Sequence, residues 1–346
     1  MTAPTAALLT DLLKQVSRSF YTSLRILPRA VRRQISLAYL LARATDTIAD
    51  TQVVSLDRRL SALRLLRERI LGVHQKPLGL GQLAQHQASH AERVLLERVD
   101  EVVSMLDESS HDDQQLLRAV LQTITSGQEL DLTRFAGASV ENIIALTTDA
   151  ELDDYTYRVA GCVGEFWTKM CRSHLFPEAP LDDGRLLANA VRFGKGLQLV
   201  NILRDLPEDL RQGRCYLPAA QLIACGLKPS SLLHPESETT FRPLYEGYLT
   251  LARSHLGAGW DYTNALPRSC IRVRLACAWP ILIGVRTLAR LGSVNVLQAG
   301  PPVKVSRAEV RRLVLRSALY YPCPDRWRGL YDEAALTPRT REAHAR

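Results

Sequence analysis

The sequence predicts an all-α protein, and three observations predict it. Apolar residues recur at three- and four-residue spacing over segments 57–73, 82–107 and 112–134, the period of a helix that buries one face. No stretch alternates apolar and polar residues between Asn-Gly or Asp-Gly turns, so no strand is expected. Breakers cluster between the periodic segments, at Pro28, 72–81, Gly137, 177–180, Pro218, 229–235, Pro267 and 300–302, where glycine and proline end helices.

Leu60, Leu63, Leu66 and Ile70 form one apolar stripe; Val94, Leu95, Val99, Val102, Val103 and Leu106 form another. There is no repeat of fixed period and no low-complexity linker, so one helical domain is expected over 1–336. The residues from 337 to 346 are polar and are expected to fray.

Bulk composition narrows the function. The chain has 346 residues, 46 % of them hydrophobic, enough for a sizeable core. Its net charge of +8, from 44 basic and 36 acidic residues, suits phosphorylated substrates, nucleic acid or acidic lipid. No helix combines basic residues with a recognition motif, which leaves a nucleic-acid binder with net charge alone. The 7 cysteines are odd in number and contain no Cys-x-x-Cys. A disulfide framework or zinc ribbon is not expected, and a cytoplasmic setting fits. Asp11 and Lys14 interrupt the apolar N-terminal stretch, so no signal peptide is read. The longest apolar run, Leu275 to Val285, is too short to span a bilayer as a helix.

Two acidic motifs carry chemistry. Asp46-Thr-Ile-Ala-Asp50 follows the apolar segment from Ile35 to Ala44, with Arg43 one turn before Asp46. Asp205-Leu-Pro-Glu208-Asp209 follows Leu197 to Leu203. Residues four apart share a helical face, where like charges repel by a few tenths, ~0.3 kcal/mol. A hard divalent cation removes that penalty, and magnesium commonly joins one or two carboxylates to substrate phosphates. Two such helices facing each other would clamp a magnesium–diphosphate. An isolated acidic pair is ordinarily a solvated face, but these adjoin apolar segments and lie near Arg43, Arg204, Arg211 and Arg214. Pro207 is expected to kink or end the second helix near Asp205.

At these residues the sequence resembles the squalene/phytoene synthase family. The resemblance rests on Ser17-Arg-Ser-Phe20, Leu27-Pro28 and Tyr39-Leu-Leu-Ala-Arg43-Ala-Thr-Asp46-Thr-Ile-Ala-Asp50. It continues through Tyr155-Thr-Tyr-Arg-Val159-Ala-Gly161-Cys-Val-Gly164-Glu165, Gln198-Leu-Val-Asn201-Ile-Leu-Arg204-Asp205-Leu-Pro-Glu208-Asp209 and Gly213-Arg214-Cys-Tyr216-Leu-Pro218. It implies an isoprenoid synthase fold, a helical domain around a central cavity. It also implies head-to-head joining of two prenyl diphosphates, such as farnesyl diphosphate, through a cyclopropyl (presqualene) diphosphate.

Residue roles follow from the resemblance. Asp46, Asp50, Asp205 and Asp209 match metal-binding aspartates that hold Mg2+, and Asn201 and Gln198 match polar residues that touch diphosphate or metal water. Arg18, Arg43, Arg204 and Arg214 match diphosphate-binding or cavity-mouth arginines, whose guanidinium pairs bidentately with phosphate. Ser17 and Phe20 belong to the same substrate-binding stretch. Tyr39 and Tyr155 match tyrosines near the reacting centres, where a phenol can pass protons or face a cation. Val159, Ala160, Gly161, Val163 and Gly164 match cavity wall. Thr47 and Ala49 stand where relatives often carry a further acid, so the number of magnesium ions stays open.

The C-terminal region bears on reduction. Arg274-Leu-Ala-Cys277-Ala-Trp-Pro280 is similar to a squalene synthase stretch, and Pro302-Val-Lys304-Val-Ser-Arg307 resembles the loop those enzymes use for NADPH phosphates. Pro280, Lys304 and Arg307 are therefore the candidate cofactor residues, with Ser306 standing where a basic residue is expected. Gly194-Lys-Gly196 is no dinucleotide fingerprint, lacking a third glycine and a preceding strand. Its glycines are read as close helix packing.

The implied activity is NADPH-dependent squalene synthesis. A non-reductive dehydrosqualene or phytoene synthase is the first alternative, and an inactive helical assembly subunit the second. His86 and His90, four apart on a polar helix, read as surface histidines. The basic run Arg307, Arg311, Arg312 and Arg316 reads as a solvated face or a peripheral contact with the inner face of the membrane. Chain-length preference and oligomeric state are not legible.

Overall fold

The computed structural model describes residues 11–17, 21–298 and 300–336. Helix follows helix: α1 (residues 11–16), α2 (Tyr21–Ile26), α3 (Arg29–Asp50), α4 (Leu56–Ile70), α5 (Gly81–Gln85), α6 (His90–Glu97), α7 (Val99–Asp107) and α8 (His111–Arg134). There follow α9 (Asp149–Thr156), α10 (Cys162–Leu175), α11 (Asp183–Arg211), α12 (Ala219–Ala224), α13 (Glu238–Ala265), α14 (Ile271–Leu291), α15 (Arg307–Tyr320) and α16 (Pro324–Ala335). The all-α expectation holds. The chain forms two compact units, Met1–Ala136 with Glu165–Ala179, and Gly137–Gly164 with Pro180–Arg346.

In the first unit α3 packs against α4, α6, α7 and α8. It buries Val31, Ile35, Leu37, Leu40, Leu41, Ala44 and Ile48, which seats the acidic motif on a fixed support. Polar ties add direction. Gln34 donates to Asp113 Oδ2 at 3.0 Å, and His174 Nε2 lies 2.7 Å from Asp113 Oδ1. Asp113 is itself in the first turn of α8, where Ser110 accepts its N–H, a cap worth about 1 kcal/mol.

In the second unit α11 packs against α13, α14 and the turn before α10. Small residues permit the approach. A Cβ on Gly194 would stand 2.2 Å from Ala160 O, and one on Gly164 2.0 Å from Ala190 O. A Cβ on Gly196 would meet Leu256 N at 3.0 Å. The Gly194 and Gly196 pair thus packs helices, as expected once a dinucleotide fingerprint was set aside.

Four local expectations need correction. The segment 82–107 is three helices, not one. Gln87 is buried between α5 and α6, where its Nε2 donates to Thr51 Oγ1 at 2.7 Å and to Leu83 O at 3.1 Å, holding the chain out of helix. His86 and His90 consequently share no helix, although both are exposed. The proline-rich stretch 229–235 forms two 3-10 turns, Pro229–Leu233 and Pro235–Ser237, since proline fits a first helical position. A two-residue parallel pair also exists, β1 (Ile144–Ala145) on β2 (Arg214–Cys215), too short to carry a period-two signal.

The fourth correction concerns Pro207. Helix α11 neither ends nor breaks there but runs on to Arg211. Proline lacks the N–H that would bond the carbonyl four residues back, which is Leu203 O. Tyr245 Oη on α13 donates to that oxygen at 3.0 Å, and Tyr245 is fully buried. A tertiary hydrogen bond therefore replaces the local one that proline removes.

Candidate functional site

In the first unit the uninterrupted α3 carries Arg43, Asp46 and Asp50 on successive turns. Arg43 Nη1 donates to Asp46 Oδ2 at 2.7 Å, while its Nη2 pairs with Glu92 of α6. Glu92 was not found from sequence; forty-nine residues separate it from Arg43 and no local pattern signals the pairing. Burial, then the charge of Asp50, pushes Asp46 up to about 7, with Arg43 pulling the other way and Glu92 adding to the rise. Yet 43 % of the Asp46 side chain is open to solvent, so a cation can reach the group whose charge its neighbours disfavour. Thr47 and Ala49 are buried, and neither position faces outward where a further acid would serve as ligand.

Tyr39 lies half-buried on α3, its hydroxyl donating to Val16 O at 3.4 Å. Ser17 is buried and donates to Leu13 O. Arg18 and Phe20 lie outside the described residues.

In the second unit α11 aligns Gln198, Asn201, Asp205 and Asp209 at spacings of three, four and four, one face of the helix. Because the helix continues through Pro207, this face is intact. Arg204 grips Asp205 with two arms, Nε to Oδ1 at 2.8 Å and Nη2 to Oδ2 at 2.5 Å. Asn201 Nδ2 stands 3.5 Å from Gln198 Oε1, and Glu208 pairs with Arg211 at 2.7 Å on the exposed side. After α11, Gly213 turns the chain at φ +79°, where a Cβ would meet Ser139 N at 2.2 Å. That turn delivers Arg214 into β2, whose pairing with β1 fixes its backbone.

Tyr155 is buried at the end of α9 and stacks on Tyr216, ring centres 4.7 Å apart. Val159, Ala160 and Gly161 lie in a π-helical turn, Tyr157–Gly161, a wider coil that recurs at functional sites. Lys195 of α11 pairs with Asp153 and lies 5.8 Å from the ring centre of Tyr157. Tyr216 and Lys195 are further neighbours that sequence reasoning left without a role.

Of the candidate cofactor residues, Pro280 sits half-buried inside α14, and Lys304 and Arg307 are exposed at the start of α15. Ser306 accepts the Glu309 N–H at 3.2 Å as the cap of α15, which explains a serine where a basic residue was expected. Arg316 leaves the basic run, pairing with Glu333 at 2.6 Å. Arg307, Arg311 and Arg312 remain exposed, beside exposed Leu315 and Leu319. No helix among the described residues is long and apolar enough to cross a membrane.

The acidic faces fit magnesium. Each offers oxygen donors from two aspartates, and no group of three or more His, Cys, Asp or Glu among the described residues could hold a metal by itself. Such a set leaves coordination positions for phosphate and water, magnesium's usual arrangement.

Known proteins resemble the chain in sequence and in fold. The chain is 24 % identical over 284 residues to the 15-cis-phytoene synthase of Enterobacter agglomerans, covering 82 % of this chain and 83 % of that protein. It is 28 % identical over 304 residues to the presqualene diphosphate synthase of Rhodopseudomonas palustris, covering 87 % and 93 %. The solved structure of TcSQS with a bound ligand shares the fold at TM-score 0.73 and 23 % identity, covering 98 % and 99 %. The squalene/phytoene synthase family model matches residues 13–309, and the chain belongs to that family.

Proposed function

We propose that this chain condenses two farnesyl diphosphates head-to-head to presqualene diphosphate and reduces that intermediate with NADPH to squalene. The observation that carries the reading is the unbroken face of α11, on which Gln198, Asn201, Asp205 and Asp209 align beside Arg204. Magnesium, when bound, would neutralise diphosphate and ease its departure. On each acidic helix by itself, the aspartate pair would hold magnesium, Asp46 and Asp50 on α3 and Asp205 and Asp209 on α11. Arg43, Arg204 and Arg214 then grip phosphate oxygens and keep the leaving group in place, with Arg18 in the same role. The allylic carbon freed of its diphosphate joins the double bond of the second substrate, and loss of a proton closes the cyclopropane. Tyr39 and Tyr155 are the phenols assigned to that proton and to the cationic carbon. The small residues Val159 and Gly161 leave room for prenyl chains.

Lys304 and Arg307, with Pro280, would receive NADPH. A non-reductive reading has one observation in its favour: Ser306 is engaged in capping α15 and contributes no charge to that loop. The exposed arginines and leucines of α15 support a peripheral contact with anionic membrane, which fits a hydrocarbon product.

Product analysis tests these readings. Purified protein is incubated with farnesyl diphosphate and magnesium, with and without NADPH. Squalene formed only with NADPH supports the reductive reading. Dehydrosqualene in either case overturns the cofactor assignment, and accumulation of presqualene diphosphate places the chain at the first half-reaction. If farnesyl diphosphate gives no product, geranylgeranyl diphosphate is tried. Silence with both supports the assembly-subunit alternative.

A further inference from the structure

The second unit contains a cationic cavity that the chemistry above leaves unused. It encloses about 200 Å³, with Arg268, Arg274 and Arg328 around it and Tyr321, Trp327 and Asn264 completing its walls. A more open cleft of about 400 Å³ shares Asn264 and Arg328 with it and reaches Arg185, in the first turn of α11. Asp205 lies twenty residues further along that helix, about 30 Å away at ~1.5 Å per residue. The cavity is therefore remote from the acidic face of α11.

Arg274 is the residue that points to a ligand. It is only 5 % exposed, yet a guanidinium brings five N–H donors and a permanent charge into that burial. Nη2 donates to Asn264 Oδ1 at 3.0 Å, an oxygen that also accepts from the Trp327 indole at 2.8 Å. Nη1 reaches Leu266 O at 3.4 Å, and Nε finds no acceptor. The rings of Tyr321 and Trp327 stand 5.4 and 5.7 Å from the guanidinium carbon and supply a cation–π contribution. No carboxylate is among these partners. Arg286, the other buried arginine among the described residues, has Glu309 Oε1 at 2.6 Å. Burial draws the Arg274 guanidinium below its ordinary value; Tyr321 opposes this and Arg268 reinforces it. Like charges thus converge on a cavity whose own lining holds no carboxylate, Asp261 and Asp332 lining only the adjoining cleft that shares Arg328, and a buried charge is costly unless paired.

We infer that this cavity binds an oxyanion of the phosphate class, held by Arg274 from within and by the exposed Arg268 and Arg328 at its rim. Its volume suits a phosphate or diphosphate group rather than a larger ligand, whose sites run to about 300–1,000 Å³. The phosphate can be free in solution or part of a lipid headgroup. The inference does not depend on the proposed reaction, because it uses none of the same residues.

The test is calorimetric titration of the full chain with inorganic phosphate, in the presence of a chelator so that no magnesium bridges anion to aspartate. In parallel, the chain is sedimented with vesicles of phosphatidylcholine alone and of phosphatidylcholine with phosphatidylglycerol. Arg274→Met removes the buried charge and risks misfolding, so Arg268→Ala and Arg328→Ala are measured beside it. Asp205→Ala controls for the acidic site. We expect saturable binding that weakens at least tenfold in each rim variant and is unchanged in Asp205→Ala. Vesicle binding that needs phosphatidylglycerol and is lost in the rim variants, without binding of free phosphate, assigns the site to a headgroup. The inference is overturned by an absence of both kinds of binding, by rim variants that bind as tightly as the parent, or by loss of binding in Asp205→Ala.

Discussion

The two acidic helices share a spacing but not a means of support. On α3 the arginine of the motif lies between two carboxylates, Asp46 on its own helix and Glu92 on α6. On α11 the arginine forks onto the neighbouring Asp205 alone. Helix α3 has no proline between Arg29 and Asp50, whereas α11 carries Pro207 within its motif and needs Tyr245 to close the resulting gap. A four-residue spacing specifies a face. What holds that face rigid is decided by residues distant in sequence, and it differs between the two helices.

The largest expected effect tests whether the motifs are equals. Asp46→Ala and Asp205→Ala should each lower magnesium-dependent turnover of farnesyl diphosphate by about 10²–10³-fold, the usual cost of deleting one electrostatic stabiliser. Circular dichroism checks that the helices persist. Full activity in either variant would remove that aspartate from the site and end the equivalence.

Next comes the proline repair on α11. Tyr245→Phe leaves Leu203 O without its donor in a buried setting and should cost about 1–3 kcal/mol in urea unfolding. Pro207→Ala in the same background restores the backbone N–H and should recover much of that loss. If the double variant is no more stable than Tyr245→Phe, the hydroxyl is not compensating for proline.

On α3 the corresponding dependence is on Glu92. Glu92→Gln keeps a hydrogen-bond acceptor but removes the charge that steadies Arg43, and kcat/KM should fall about tenfold, ~1.4 kcal/mol. Glu208→Gln breaks the exposed ion pair with Arg211, in which both side chains are more than half exposed, and should change unfolding stability by less than about 0.5 kcal/mol. A Glu92 variant with unaltered kinetics would place Glu92 outside the working site.

These contrasts mark how far the sequence could be read. Helix class, most breakers and the aspartate faces were legible because they rest on local period and spacing. Glu92 was not, since an ion pair across forty-nine residues leaves no trace in either segment. Pro207 was misread for a related reason: local rules end a helix there, and the hydroxyl that overrides them comes from another helix. The break at Gln87 depends likewise on Thr51, thirty-six residues away. Arg274 stood in plain view as the first residue of a recognised stretch, but its burial without a carboxylate is a property of the folded packing.

The smallest effect at neutral pH separates the surroundings of the two helices on acidification. His255 on α13 packs near Gly196, and its Nδ1 accepts from Arg192 Nε of α11 at 3.3 Å. Burial, then the charges of Arg192 and Lys195, pulls it down to about 4, below an unfolded value near ~6.5. Between those values the unfolded chain binds the extra proton, so stability falls as pH drops below about 6.5 and the loss is complete below the folded value. Asp113, which ties α8 to α3 through Gln34, behaves differently. Burial raises it, but the hydrogen bonds from His174 and Gln34 outweigh that and hold it below the ordinary carboxylate range. Its contribution is present above the unfolded value and is lost only as pH falls through the lower folded one. Hydrogen exchange followed from pH 7 to 5 should therefore show α11 and α13 loosening, while α3 and α8 do not loosen, since Asp46 on α3, pushed up to about 7, takes up a proton in the folded chain over that interval and adds stability as pH falls. His255→Asn should flatten the response around α11, and equal loosening of both helix pairs would show that His255 does not set it.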